Sequence, residues 1–215
     1  MGGNKMKLFQ VALDLFSTDE ALNVLKEISE FVDIIELGTP LMVAEGAHVV
    51  RKVKELYPEK TVFADIKVMD GGSIVPKVVF DAGADMVSVL AAADNSTIEA
   101  TIELAGKYER KVLVDMCSVK DIFARAKEVE ALGPDFICVH VGYDVQNKGV
   151  DPVQELRKLD GIKIPKAIAG GIKLSNFEAA VQSPADVIIV GGGIYNQPNM
   201  REVAEKMREI IDRYK

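Results

Sequence analysis

Phe9-Gln10-Val11-Ala12-Leu13 runs without a glycine into Asp14-Leu15-Phe16-Ser17, and this junction separates the two architectures open to a chain of its kind. A doubly wound open sheet places a glycine-rich phosphate turn directly after its first strand. Here the strand meets an acid instead, and Ser17-Thr18-Asp19-Glu20, a cap residue with early carboxylates, then opens a helix. Outward from that junction the same unit repeats. Short β-branched apolar runs occupy residues 9–13, 33–37, 61–66, 86–90, 111–116, 136–140, 163–168 and 187–190, with amphipathic stretches of helical spacing between them. Ala82-Gly83-Ala84-Asp85, Leu132-Gly133-Pro134-Asp135 and Ser183-Pro184-Ala185-Asp186 each stop a helix and feed the next run. Runs that are apolar throughout need cover on both faces, which crossover helices supply in a parallel sheet. Eight such units predict an α/β fold, a compact (β/α)8 TIM barrel of parallel strands.

Composition narrows the function classes. The 26 Lys and Arg against 33 Asp and Glu leave a net charge of −7, which excludes a general binder of nucleic-acid backbones, whose affinity comes from clustered cations. A chain of 215 residues, 48% apolar, buries roughly 70% of its unfolded surface and needs no staple. No signal-like segment is found, and no apolar stretch approaches the roughly 18 residues of a membrane span, so no membrane partner is expected. The two cysteines, Cys117 and Cys138, lie in apolar runs without zinc-site spacing and are expected to be buried thiols in a reducing cytoplasm. Residues 1–5 are expected to form a loose leader. Met6 stands where a myristoylation motif wants Ser or Thr. Residues 6–215 are expected to form one barrel domain.

Barrel active sites lie at the carboxyl ends of the strands. Read in order, those ends carry Asp14, Glu36, Asp65-Ile66-Lys67-Val68-Met69-Asp70, Asp115, His140 with Asp144, Gly170-Gly171 and Gly191-Gly192-Gly193. So many acids at one mouth require either a bound cation or raised pKa values. Lys67 among Asp14, Asp65 and Asp70 places positive charge where an oxyanion develops. Glu36 and Asp65, on neighbouring strands, offer hard oxygen ligands to Mg²⁺, and Mn²⁺ accepts the same donors. A buried ion-pair network tying strand ends together is the structural alternative. The glycines after the last two strands suit a phosphate ester held by backbone amides. His140 closes an apolar strand and titrates near neutrality, whereas His48 sits in a helical pattern as a surface or packing residue.

Asp65, Lys67 and Asp70 form an Asp-x-Lys-x-x-Asp motif after the third strand, and by it the chain resembles the orotidine 5'-phosphate decarboxylase superfamily. Val11-Ala12-Leu13-Asp14, residues 34–40 (Ile-Ile-Glu-Leu-Gly-Thr-Pro), residues 64–72 and residues 139–146 are most similar to its 3-hexulose-6-phosphate synthase branch. The resemblance, running from about Lys7 to the end, implies an aldehyde-lyase that joins formaldehyde to D-ribulose 5-phosphate, or the reverse. It implies Mg²⁺ on Glu36 and Asp65, an enediolate supported by Lys67, and proton transfer by His140. Asp14, Glu36 and Asp144 would lie against the substrate, with Gly170, Gly171, Gly191 and Gly192 around the phosphate. Asp70 would reach across a homodimer interface into a shared active site. The 3-keto-L-gulonate 6-phosphate decarboxylase branch is the alternative, and it carries an arginine where this chain has Tyr143. A non-catalytic barrel that binds a sugar phosphate is a second alternative.

Overall fold

Eight parallel strands follow one another around a closed barrel: β1 (Leu8–Leu13), β2 (Ile34–Leu37), β3 (Thr61–Val68), β4 (Met86–Leu90), β5 (Lys111–Asp115), β6 (Phe136–His140), β7 (Lys166–Ala169) and β8 (Val187–Val190). β8 closes on β1, with Phe9 opposite Ile188. The computed structural model describes residues 7–146 and 148–214, so the leader expected at 1–5 lies outside the described residues. No helix among them is long and apolar enough to cross a membrane.

The non-alternating strands have a simple cause. Phe9, Val11, Leu13, Ile35, Leu37, Val62 and Ala64 point outward into the layer shared with the helices. Ala12, Ile34, Phe63, Met86, Leu113, Cys138, Ala167 and Ile189 point inward and fill the barrel. Both faces are dry, so both are apolar. The inward positions change character toward the carboxyl end. Two residues beyond Ala12, Ile34, Phe63, Met86, Leu113 and Cys138 stand Asp14, Glu36, Asp65, Ser88, Asp115 and His140. Side chains two apart on a strand share a face, so the polar group rests on the apolar floor.

The amino-terminal rim repeats one device. Asp33, Asp85, Asp135 and Asp186 each precede an even-numbered strand, and each donates its amide to a carbonyl of the odd-numbered strand before it, at 2.8, 2.8, 3.1 and 2.7 Å. In return their carboxylates accept the amides of Phe9, Val62, Val112 and Lys166 at 2.8, 2.9, 2.9 and 2.8 Å.

Six strand limits differ from the sequence expectation: β1 starts one residue earlier, β2 starts one later and β7 ends one later, and the start of β7 and the ends of β5 and β3 also move. β7 begins at Lys166, because Pro165 has no amide to donate and Ile164 gives its own to Glu130. β5 stops at Asp115, one residue short of Met116. β3 runs past Ile66 to Val68 through a register shift at Lys67, whose backbone is left-handed (φ 43°). The Lys67 amide there donates to Ser88 Oγ at 2.8 Å in place of a ladder carbonyl.

Candidate active site

A cavity of about 970 Å³ opens at the carboxyl ends of the strands. Its floor is the inward apolar layer, including Ala12, Phe63, Leu113 and Cys138, and its polar wall is the layer above.

Asp65 organises one side. Its Oδ1 accepts the Ser88 hydroxyl at 2.6 Å, and its Oδ2 accepts the Thr39 hydroxyl at 2.7 Å and the Lys67 ammonium. Lys67 also donates to Thr39 Oγ1 at 2.9 Å. Burial pushes the Asp65 carboxyl upward, but Lys67, Ser88 and Thr39 outweigh it and hold the group below its ordinary range. Lys67 is raised in turn: burial opposes its charge, and Asp65 prevails. The pair is ionised at neutral pH.

Glu36 is the counterpart without a cation. It is buried (7% exposed) and accepts Gln10 Nε2 at 2.6 Å, and among the described residues no Lys or Arg nitrogen lies within ion-pair distance. Burial, then the charges of Asp65 and Asp14, push its carboxyl well above the ordinary range. Gln10 Oε1 beside it is buried without a hydrogen-bond partner among the described residues. Buried oxygens crowded in this way are the donors a hard divalent cation takes, so Glu36 and Asp65 fit the ion that the sequence suggested. Asp14 opens onto the cavity but is ringed by protein. That loss of water, and then the charge of Asp65, raises its carboxyl. Gly38 gives Asp14 its room, since a Cβ there would meet Asp14 Oδ1 at 2.2 Å.

Next to the Asp65–Lys67 pair, His140 Nδ1 lies 2.9 Å from Asp115 Oδ2, which is itself 3.9 Å from Lys67 Nζ. Asp115 is buried (3% exposed), and its other oxygen accepts the Cys117 amide at 2.9 Å. Beside a carboxylate Nδ1 carries the proton, which leaves Nε2 as the nitrogen able to accept one. Burial would lower the imidazole pKa, but the hydrogen bond and charge of Asp115 outweigh it and raise the group above its usual 6.5.

The glycine loops form another wall. Gly170, Gly171, Gly191 and Gly192 all line the cavity, as does Asp144 at the rim. Gly170 is left-handed (φ 98°), and a Cβ there would strike Val141 O at 2.2 Å. Phe16 and Tyr143, 72% and 84% exposed, stand at the mouth.

The cavity of one chain thus gathers every candidate named from the sequence except Asp70. That residue lies outside it, exposed, accepting the amide of Gly71 at 2.7 Å. His48 is exposed on the helix Ala47–Leu56. Cys138 is buried as expected, but Cys117 is half-exposed and lines the cavity, because β5 ends two residues before it. Sequence reasoning missed the clasp of Asp115 on His140 and the supporting Gln10, Thr39 and Ser88. Gln10 and Ser88 had a signal: each is a polar residue inside an apolar run.

The profile of the orotidine 5'-phosphate decarboxylase / HUMPS family matches residues 7–207. The 3-hexulose-6-phosphate synthase of Bacillus subtilis is 45% identical over 204 residues, spanning 94% of this chain and 97% of that protein. The crystal structure of 3-hexulose-6-phosphate synthase from Salmonella typhimurium has a TM-score of 0.94 at 36% identity, covering 97% of this chain and 100% of that one. The crystal structure of 3-keto-L-gulonate-6-phosphate decarboxylase from Vibrio cholerae O1 biovar El Tor has a TM-score of 0.86 at 28% identity, covering 98% and 99%. With a match over nearly its whole length and a barrel of the same form, the chain belongs to the orotidine 5'-phosphate decarboxylase / HUMPS family.

Proposed function

We propose that this protein joins formaldehyde to D-ribulose 5-phosphate, giving 3-hexulose 6-phosphate, or runs the same reaction backward. The observation that carries the reading is the pairing, in one cavity, of a carboxylate-oriented imidazole with an ionised Asp65–Lys67 pair beside the buried Glu36. Relatives that span nearly the whole chain are named for this synthase.

Each residue has a task in this reading. The glycine loops receive the phosphate, and Asp14 and Asp144 receive substrate hydroxyls. His140 Nε2 takes a proton from C1 of the ketose. The electron pair left on C1 forms the new bond to the formaldehyde carbon, and the former carbonyl oxygen of formaldehyde takes the proton back from Nε2. Asp115 keeps the Nδ1 proton in place and steadies the imidazolium meanwhile. Lys67 directs its ammonium at the oxygen where charge develops. Glu36 and Asp65 would hold Mg²⁺, or Mn²⁺ in its place. When bound, that ion supplies further positive charge to the enediolate oxygens.

The same reading makes the enzyme a homodimer with Asp70 of each chain serving the other's cavity. Met69, Ile74, Val75 and Val78, exposed apolar residues flanking Asp70 on the loop after β3 and the helix Val75–Phe80, support such a contact surface. A cytoplasmic setting suits its two free thiols.

The test is formaldehyde consumption by purified protein with ribulose 5-phosphate and Mg²⁺, with and without EDTA, beside CO₂ release from 3-keto-L-gulonate 6-phosphate. Consumption that needs both sugar and metal is the expected result. Dominant CO₂ release would transfer the protein to the decarboxylase branch despite Tyr143, and silence in both assays would leave a sugar-phosphate-binding barrel.

A further inference from the structure

Asp115, Cys117 and His140 bring a carboxylate oxygen, a thiol sulfur and an imidazole nitrogen within 4.8 Å of one another on one wall of the cavity. This set differs in kind from Glu36 and Asp65, which offer oxygen alone. Sulfur and nitrogen donors suit a borderline-soft ion such as Zn²⁺, bound tetrahedrally at about 2.0–2.3 Å, whereas Mg²⁺ stays with oxygen.

The trio is held in place by its own contacts. Asp115 fixes both partners, one oxygen accepting the Cys117 amide and the other facing His140 Nδ1, each at 2.9 Å. Gly142 leaves the flank of the thiol clear, since a Cβ there would stand 3.2 Å from Cys117 Sγ. Cys117 is half-exposed and lines the cavity, so an ion arriving from solvent reaches it. Lys67 Nζ is the cation nearby, 3.9 Å from Asp115 Oδ2, but its hydrogen bonds go to Asp65 and Thr39 and leave Asp115 to the imidazole.

We propose that Asp115, Cys117 and His140 form a second cation site, selective for Zn²⁺ and ions like it, whose occupation stops proton transfer at His140. Binding releases the thiol proton to solvent, and where Nδ1 is the ligand its proton moves to Nε2. An imidazole ligated through Nδ1 then carries its one proton on Nε2, and one ligated through Nε2 has no free lone pair. In both cases the cavity loses its base. The inhibitory half rests on the role of His140 in the proposed reaction, while the site itself does not.

Cobalt is the probe. Co²⁺ added to the metal-free full-length protein is expected to give a near-ultraviolet thiolate charge-transfer band, bleached by Zn²⁺, absent in Cys117→Ser and kept in Glu36→Gln and Cys138→Ala. No band in the wild type, or an unchanged band in Cys117→Ser, overturns the site. Under saturating Mg²⁺, Zn²⁺ is expected to inhibit formaldehyde consumption. Cys117→Ser should raise the half-inhibiting concentration at least about tenfold, since even a lost supporting hydrogen bond costs a metal site that much. Equal inhibition of both proteins overturns the switch. A cobalt band that behaves as expected in a protein without synthase turnover upholds the site and counts against the proposed reaction alone.

Discussion

Both rims of the barrel carry acidic residues at strand ends, yet put them to opposite uses. On the amino-terminal rim, Asp33, Asp85, Asp135 and Asp186 spend their carboxylates on backbone amides of the neighbouring strand, and cations join them there: Asp33 pairs with Arg208 at 2.7 Å, and Asp85 with Lys54 at 2.6 Å and Arg110 at 2.8 Å. On the carboxyl-terminal rim, Asp14, Glu36, Asp65 and Asp115 face side chains and one another, and Asp115 also accepts an amide, that of Cys117 in the loop beyond β5. Two of them, Asp14 and Glu36, have raised pKa values. An amide fixed in the ladder is a partner that no substrate displaces. A hydroxyl, an ammonium or an imidazole is a partner that chemistry can use. What separates a stabilising carboxylate from a reactive one here is therefore the kind of group it faces, not its residue type or its distance from the strand.

Substitutions at the two rims should separate turnover from stability. The largest effect belongs to Lys67→Ala and Glu36→Gln, each expected to lower turnover about a thousandfold or more while circular dichroism shows the barrel still folded. Near-normal rates in both would erase the contrast between the rims. Asp115→Asn comes next, with a loss in kcat of about a hundredfold, because an amide at this position no longer fixes the tautomer of His140. Its pH profile sharpens the point. A base works when deprotonated, so the parent rate should rise with pH through a midpoint above 6.5, the direction in which Asp115 moves His140. Removing that charge should shift the rising limb to lower pH.

Asp85→Ala should do the reverse of these. It strands the Val62 amide together with Lys54 and Arg110, at a cost of about 3 kcal/mol in urea denaturation, with kcat per folded molecule unchanged. Asp135→Ala is the smallest, about 1 kcal/mol. It removes an amide bond at 2.9 Å with no ion pair alongside it among the described residues. A loss of activity at either position, with the fold intact, would blur the distinction between the two ends.

The barrel was legible in the sequence because burial of both strand faces leaves an unbroken apolar run, a pattern that does not depend on knowing which face is which. That same property marks Gln10 and Ser88 as polar exceptions but not what they do. Gln10 is a lone polar residue in its run until closure of the barrel shows that it points inward, with Ala12 and Asp14, and meets Glu36. Ser88 gives no hint in β4 that it caps Asp65 and receives the Lys67 amide at once. The charged residues were readable from their place at strand ends. Their partners were not, because each pairing joins strands through a curvature that a linear pattern does not carry: Asp115 with His140, Thr39 with Asp65. The start of β7 was misplaced for a local reason, the missing amide of Pro165.

The amino-terminal clasps also join the strands in a fixed grouping: β1 with β2, β3 with β4, β5 with β6, and β7 with β8. The rim therefore has two kinds of joint. Each carboxylate clasp lies within a two-strand quarter, while main-chain bonds cross the boundaries, as from the Leu8 amide to Asp186 O at 2.8 Å and from the Lys111 amide to Asp85 O at 3.0 Å, which makes the barrel, at this end, a ring of four like modules. Such a ring is the form that a doubled and redoubled strand pair would take, and the four aspartates mark the middle of each quarter, where its first strand is tied to its second.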